Sequence, residues 1–268
     1  MEDVPPEVIA HYERFDEASR LTDAEGFLEW DRTIDILSRH LPPPPARILD
    51  VGGGPGRYAH HLARNGYRVD LIDPVLRHVD RARRGPLAGA EVGDARRLDH
   101  ADRAFDAVLL MGPLYHLQDR ADRLQALAEA RRVLRPGGVV AAAGISRYAS
   151  ALDGLDRGLV DDPRFRDILA GDLRDGRHEN PTGDIEYFTT AYLHHPDELH
   201  AELETAGFTG VAVLAVEGVG WVAGDLELRR RDPERWRILL DLLRSLEREP
   251  SLLGASPHLL ALGTVEEI

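Results

Sequence analysis

The chain has 268 residues, of which 43% are hydrophobic and 30% are charged, as expected for one α/β core that carries an added segment. Its formal net charge of −14 disfavours binding to a nucleic-acid backbone, and no apolar run is long enough to cross a bilayer, so we expect neither partner. The absence of cysteine excludes disulfides, thiolate metal sites and a cysteine nucleophile, and the absence of lysine excludes a Schiff base.

The N-terminal sequence is acidic and contains prolines. The letters MEDVPP lack the basic start and the apolar stretch of a secretory signal, so a cytoplasmic location is expected. Residues 6–40 then predict two helices, because apolar residues recur at helical spacing, and we assign residues 5–41 to an N-terminal helical cap. The proline run at 42–45 ends this cap.

A regular alternation of strands and helices follows over residues 46–145. The predicted strands are 47–51, 68–72, 90–92, 107–111 and 139–143, and the predicted helices are 57–64, 75–83 and 120–134. This alternation favours a parallel sheet with helices on both faces. It predicts the cofactor-binding core of a single domain that spans residues 1–268.

The alternation fails over residues 146–195, where Asp, Arg and Gly are frequent. We interpret this stretch as an insertion that covers the acceptor, and refer to it as the lid segment. Residues 196–268 form the C-terminal part of the sheet. The elements predicted there are a helix at 196–206, a strand at 211–216, a long helix at 232–249 and a last strand at 259–264.

A glycine cluster, DVGGGPG at 50–56, follows the first strand. Such glycines permit a tight turn and bring backbone N–H groups close to a ligand, although a turn without a ligand would look the same. Because residues 54–59 also fit a degenerate dinucleotide fingerprint, the glycines alone do not separate nicotinamide enzymes from methyltransferases. Asp73, at the end of the second strand, could accept ribose hydroxyls in both classes. Asp94, at the end of the third strand, could accept from an adenine amino group and favours methyl transfer.

Five motifs together resemble the class I S-adenosylmethionine-dependent methyltransferase superfamily, of the type that acts on small molecules, over residues 12–147. They are DVGGGPG at 50–56, LIDP at 71–74, VGDARRL at 92–98, FDAVLLMGPLYHL at 105–117 and LRPGGVV at 134–140. The resemblance implies a Rossmann-like α/β fold with a seven-stranded, mostly parallel sheet whose last strand is antiparallel. One departure is Gly53, since many members carry a small or polar residue there.

The same resemblance implies a binding site for S-adenosyl-L-methionine, with S-adenosyl-L-homocysteine as the product. The cofactor-binding residues it implies are Gly52, Gly54 and Gly56 at the methionine part, Asp73 at the ribose, and Asp94 with Ala95 at the adenine, to which we add Gly53, Pro74, Met111 and Gly112. Tyr12 and Arg20 lie in a helix that closes over the cofactor in similar enzymes. An arginine there is suited to the methionine carboxylate, although a surface arginine would look identical.

The stretch MGPLYHL at 111–117 follows the fourth strand, beyond whose carboxyl end ligands bind in open α/β sheets. His116 is the candidate general base; the alternative is that it orients a loop or contacts the acceptor. Candidate acceptor contacts are Tyr115, Tyr187, Tyr192, His194 and Trp221, with core packing as the alternative for each. No metal is expected, because neighbouring histidines at 194 and 195 would diverge.

The sequence thus predicts methyl transfer from S-adenosylmethionine to a small-molecule acceptor. The attacking atom, which could be oxygen, nitrogen or carbon, is left open, as is the oligomeric state. Two alternatives are a nicotinamide-dependent oxidoreductase and a non-catalytic protein that binds S-adenosylmethionine.

Overall fold

The computed structural model describes residues 24–267, and in this part of the chain nine strands and ten helices occur. The strands are β1 (Arg47–Val51), β2 (Arg68–Asp73), β3 (Gly89–Val92), β4 (Phe105–Leu110), β5 (Leu134–Ser146), β6 (Arg177–His178), β7 (Ala191–His194), β8 (Thr209–Ala215) and β9 (His258–Thr264). The helices are α1 (Ala24–His40), α2 (Arg57–Arg64), α3 (Leu76–Ala82), α4 (Pro113–His116), α5 (Arg120–Val133), α6 (Ala149–Asp156), α7 (Pro163–Asp175), α8 (Pro196–Thr205), α9 (Leu226–Arg230) and α10 (Pro233–Leu246). No helix among these is both long and apolar enough to cross a membrane.

The central sheet has the order β3-β2-β1-β4-β5, and these five strands are parallel. On the free side of β5 lies β9, which is antiparallel to it, and β8 pairs antiparallel with β9. Because β9 is antiparallel to β5 and β8 is antiparallel to β9, β8 runs in the same direction as β5. The predicted Rossmann-like fold with an antiparallel last strand is confirmed.

Both faces of this sheet are buried, which is why its strands are nearly continuous apolar runs. In β1, Ile48 packs with α1, α2 and α3 on one face, whereas Leu49 and Val51 pack with α5 and α8 on the other. The alternation of side chains along each strand supplies both layers of the core. The packed sheet therefore fixes the positions of the loops at its carboxyl edge, which is the edge where the parallel strands end.

The lid segment contains more regular structure than the sequence indicated. It forms α6, α7 and a short hairpin of β6 and β7, and β7 joins the sheet in parallel with β5. Ile145 of β5 pairs with His258 of β9 on one side and with Leu193 of β7 on the other. The hairpin therefore extends the sheet on the side of β4, beyond the end of that strand. With only four residues, β7 is too short for periodicity to reveal it.

Candidate cofactor and acceptor site

The glycine loop, residues 52–56, is packed tightly against the loop that follows β4. Gly52 has a φ of +69°, and a Cβ atom there would lie 2.7 Å from Cδ of Pro113. A Cβ at Gly112 would lie 3.3 Å from the carbonyl oxygen of Gly52. Only glycine satisfies both the left-handed backbone and this close approach. The two loops thus meet at the carboxyl edge of the sheet.

A buried carboxyl group lies directly beneath the glycine loop. A Cβ at Gly53 would lie 2.7 Å from Oδ2 of Asp50, which is fully buried, and neither Asp50 oxygen has a hydrogen-bond partner among residues 24–267. Burial and, after it, the negative charge of Asp73 raise the pKa of Asp50 to about 7. The Ala59 backbone opposes this shift, although its N–H is not at hydrogen-bond geometry. A positive charge above the loop would favour ionisation of this group.

Asp73, at the end of β2, holds the glycine loop in place. Its Oδ2 accepts the backbone N–H of Gly54 at 2.8 Å, and its Oδ1 accepts that of Val75 at 2.9 Å. Nδ1 of His78 lies 3.2 Å from the same Oδ1. The carboxylate is nearly buried, and Pro74 beside it is half-buried. The ribose contact of Asp73 and Pro74 stays a prediction, to which the geometry adds an anchoring role.

Asp94 follows β3 and is held as an anion. It accepts the Arg96 backbone N–H at 2.8 Å and the Arg96 guanidinium at 2.7 Å. Burial raises the pKa of Asp94, but these hydrogen bonds outweigh it and leave the pKa below its ordinary value. Its side chain is still 30% exposed, and Ala95 beside it is buried. The adenine contact of this pair stays a prediction.

The loop after β4 carries the predicted base. The Tyr115 hydroxyl donates to the Met111 carbonyl at 3.0 Å. His116 is half-buried, its Nδ1 lies 3.2 Å from the Thr190 carbonyl oxygen, and its ring lies 5.9 Å from that of Phe188. The imidazole thus lies between this loop and the lid segment. Its role as a base stays a prediction.

A buried arginine fixes the same loop. The Arg123 guanidinium donates to the carbonyls of Leu117 and Gln118 at 2.9 and 2.8 Å, and to both carboxylate oxygens of Glu202. The hydrogen bonds of Glu202 with His194 and Arg123 outweigh burial and lower the pKa of Glu202 to about 2. This network joins the β4 loop to α8 and keeps the candidate site preorganised.

A cavity of about 410 Å³ lies at the carboxyl edge, enclosed by α1, the lid segment and the connection after β8. Three of the predicted acceptor residues, Tyr115, Tyr187 and Trp221, lie on its wall. The Tyr187 hydroxyl donates to Asp162 at 2.7 Å, and Nε1 of Trp221 donates to the Ala255 carbonyl at 3.0 Å. Because these polar atoms are engaged in the fold, the residues offer mainly aromatic surface to a ligand.

Two other predicted acceptor residues, Tyr192 and His194, are not among the described residues that line this cavity, and their contact with an acceptor stays a prediction. Successive side chains of a strand point to opposite faces, so Leu193 of β7 faces the cavity while its two neighbours face away. His194 is fully buried with Nε2 3.4 Å from Glu202, and the Arg123 guanidinium lies 3.6 Å from the centre of the Tyr192 ring. Tyr12 and Arg20 lie outside the described residues.

Three cavity residues were missed by the sequence analysis. Glu29 lies on α1, Glu217 follows β8 by two residues, and His258 opens β9; we refer to them as the Glu–Glu–His cluster. Because β8 runs with β5 and β9 runs against it, the end of β8 and the start of β9 both lie at the carboxyl edge. The sequence contained a signal only for Glu217, as a polar residue after a predicted strand.

Comparisons with known proteins agree with this geometry. Residues 48–138 match the family model described as "Methyltransferase domain". A malonyl-[acyl-carrier protein] O-methyltransferase of Methylococcus capsulatus is 38% identical over 109 residues, covering 38% of each chain. A ubiquinone biosynthesis O-methyltransferase of Methylocella silvestris is 37% identical over 131 residues, covering 42% of this chain and 50% of the relative. The matched region thus spans half or less of these relatives.

Likeness in fold extends over nearly the whole chain. The crystal structure of a methyltransferase from Thermotoga maritima, titled a possible histamine N-methyltransferase, superposes with a TM-score of 0.60 at 19% identity, covering 96% of this chain and 99% of that one. At this identity the likeness concerns the fold alone. Residues 48–138 thus match a methyltransferase domain, and the likeness over the rest of the chain shows the fold.

Proposed function

We propose that this chain transfers a methyl group from S-adenosylmethionine to a small-molecule acceptor bound in the cavity. The observation that carries the proposal is that the loop after β4 adjoins both the cavity and the glycine loop. Tyr115 lines the cavity and belongs to the loop after β4, whose Gly112 contacts the glycine loop at Gly52. An acceptor in the cavity would therefore adjoin a cofactor held above the glycines.

The residues at the glycine loop fit the charge of this cofactor, which supplies an electrophilic methyl group on a positively charged sulfur when bound. Asp50 offers a buried carboxyl group without a hydrogen-bond partner in the described chain. The bare Cα atoms of Gly52 and Gly53 allow close approach. Buried charge is favourable when an opposite charge compensates it, so Asp50 would stabilise the cofactor through the loop.

The chain has to align the acceptor, exclude water and, where the acceptor carries a proton at its nucleophile, remove it. We assign the last task to His116, which follows the cavity residue Tyr115 but is not itself among the described residues that line the cavity. With the proton on Nδ1, the imidazole donates to the Thr190 carbonyl and keeps the Nε2 lone pair as a base. No covalent intermediate with the enzyme is required.

Two further parts of this proposal concern the class of acceptor and the location of the protein. The net charge of −14 argues against a nucleic-acid acceptor, and we place the protein in the cytoplasm. The relatives above are named for O-methylation and possible N-methylation of different acceptors. These names leave the attacking atom of the acceptor open.

The proposal is tested by supplying methyl-labelled S-adenosylmethionine together with separate fractions of small metabolites, proteins and nucleic acids. We expect label in the small-metabolite fraction, loss of this transfer in Asp73→Asn, and normal transfer in Asp80→Asn, a matched change at an exposed position seven residues later. Label confined to protein or nucleic acid would contradict the proposal. So would cofactor binding without transfer to any fraction, as a non-catalytic binding protein would show.

A further inference from the structure

We propose that the acceptor is a small organic amine, whose ammonium group is bound in the cavity by Glu29 and Glu217. This inference rests on the proposed function, because it takes the cavity to be the acceptor site. It adds the chemical class of the acceptor and two residues that determine specificity.

The described residues of the cavity wall include more carboxylates than guanidinium groups. The carboxylates are those of Glu29, Asp153, Asp156, Glu186 and Glu217. Among residues 24–267, one guanidinium lines the same wall, that of Arg157, and it is paired with Asp153 at 3.1 Å and with Glu186 at 3.7 Å. A concave site lined by one sign of charge concentrates ligands of the opposite sign. An anionic acceptor would be repelled, and a neutral one would gain nothing from this wall.

Within this wall, Glu217 differs from the other buried glutamates. Three glutamates are buried among the described residues, and two of them are neutralised by arginine: Glu202 by Arg123 at 2.8 Å and Glu247 by Arg32 at 2.6 Å. Glu217 instead accepts from the Ser256 hydroxyl and the His258 backbone, and its other oxygen lies 2.6 Å from Nδ1 of His258. A carboxylate placed on a cavity wall without an arginine is suited to a cationic ligand.

The second carboxylate is held close to the first. Oε2 of Glu29 lies 3.9 Å from the same His258 Nδ1, and the facing atoms of the Glu–Glu–His cluster lie within 4.8 Å of one another. Three residues along α1 from Glu29, Nε of Arg32 donates to the Val216 carbonyl at 3.0 Å. This hydrogen bond joins α1 to the residue before Glu217, so the spacing of the two carboxylates is built into the fold.

The remaining cavity surface suits the body of such a ligand. Leu28, Phe188, Trp221 and Leu226 line the same cavity and provide aliphatic and aromatic surface. Aromatic faces also attract cations, particularly in desolvated sites. An ammonium group on a compact aromatic or aliphatic skeleton therefore matches both the charge and the apolar character of the cavity.

A divalent metal is the other ligand that two carboxylates and a histidine could hold. The geometry is less suited to it, because Nδ1 is the histidine nitrogen that faces both carboxylates and it already lies at hydrogen-bond distance from Glu217. An N–H at this position is a donor and offers no lone pair to a metal.

The test compares three probes of similar shape, 2-phenylethylamine, 2-phenylethanol and phenylacetate, by calorimetric titration of the full chain saturated with S-adenosylhomocysteine. We expect the amine to bind at least about tenfold more tightly than the alcohol, because only the amine forms charge-assisted hydrogen bonds with the two carboxylates. Phenylacetate should bind most weakly. Glu29→Gln should remove the preference for the amine and leave binding of the alcohol unchanged, whereas the exposed control Glu234→Gln should behave as wild type.

Glu29→Gln is the primary variant because Glu217 also holds Ser256 and the start of β9, so that Glu217→Gln could affect folding. Equal affinity for amine and alcohol, or an unaltered amine preference in Glu29→Gln, would overturn the inference. Stoichiometric binding of Mg²⁺ or Zn²⁺ that abolishes amine binding would assign the cluster to a metal instead. Absence of S-adenosylhomocysteine binding, measured separately in the same samples, would count against the proposed function and not against the amine site.

Discussion

The buried carboxyl group of Asp50 makes a quantitative prediction about stability without cofactor. Burial and the neighbouring Asp73 raise the pKa of Asp50 from 3.8 to about 7 in the folded protein. Between these two values the folded state binds a proton that the unfolded state has lost, so stability falls as pH rises and becomes constant above about pH 7. At 1.36 kcal/mol per pKa unit, this group alone should cost roughly 3 kcal/mol of unfolding free energy between pH 5 and pH 8.

Asp50→Asn removes the titration and nearly preserves the shape. We compare urea unfolding of wild type and variant at pH 5, 6, 7 and 8. Between pH 5 and pH 8 the unfolding free energy of the variant should rise by about 3 kcal/mol relative to that of the wild type. Asp99→Asn, a change at an exposed carboxylate, should follow the wild-type curve. Parallel pH dependences for wild type and Asp50→Asn would show that Asp50 ionises normally in the folded chain, and the charge argument for the cofactor loop would fail with it.

Three other substitutions test separate parts of the site. Asp73→Ala should weaken S-adenosylhomocysteine binding by about 1–3 kcal/mol in calorimetry, because the ribose and the Gly54 N–H lose a charged acceptor. Unchanged affinity in a folded variant would show that Asp73 does not belong to the cofactor site. His116→Ala should lower the transfer rate by roughly 10²- to 10⁴-fold with little change in cofactor affinity, as steady-state kinetics would show, whereas full activity would make the residue structural. Arg123→Ala should destabilise the fold by about 3–5 kcal/mol in urea unfolding, because Glu202 stays buried without its partner; a loss below about 1 kcal/mol would refute that account.

The sequence predicted those parts of the fold that are specified by the residue pattern within a single segment. The five parallel strands and their helices follow from alternation, and the antiparallel last strand follows from the family resemblance. The short strand β7 did not follow, because its pairing with Ile145 is a tertiary contact that four residues cannot encode locally. The same strand directs Tyr192 and His194 away from the cavity, since register decides which face each side chain occupies.

The residues of the candidate site also divide into those that local sequence predicts and those that only the fold brings together. The glycine loop and Asp73 could be predicted because their chemistry is concentrated at the ends of two neighbouring strands. Glu29, Glu217 and His258 could not, since they come from three distant segments that only the reversals at β8 and β9 bring to one edge. Asp50 was visible as an acidic residue before the glycines, but its burial without a hydrogen-bond partner depends on the packing of Gly53 above it.

The central claim is that the glycine loop binds S-adenosylmethionine, and the most direct measurement is calorimetric titration of the full chain with S-adenosylhomocysteine and with NAD⁺. We predict saturable one-to-one binding of S-adenosylhomocysteine that is weakened in Asp73→Ala, and no heat of binding for NAD⁺. Binding of NAD⁺ in place of S-adenosylhomocysteine would contradict the account and assign the loop to a nicotinamide-dependent oxidoreductase.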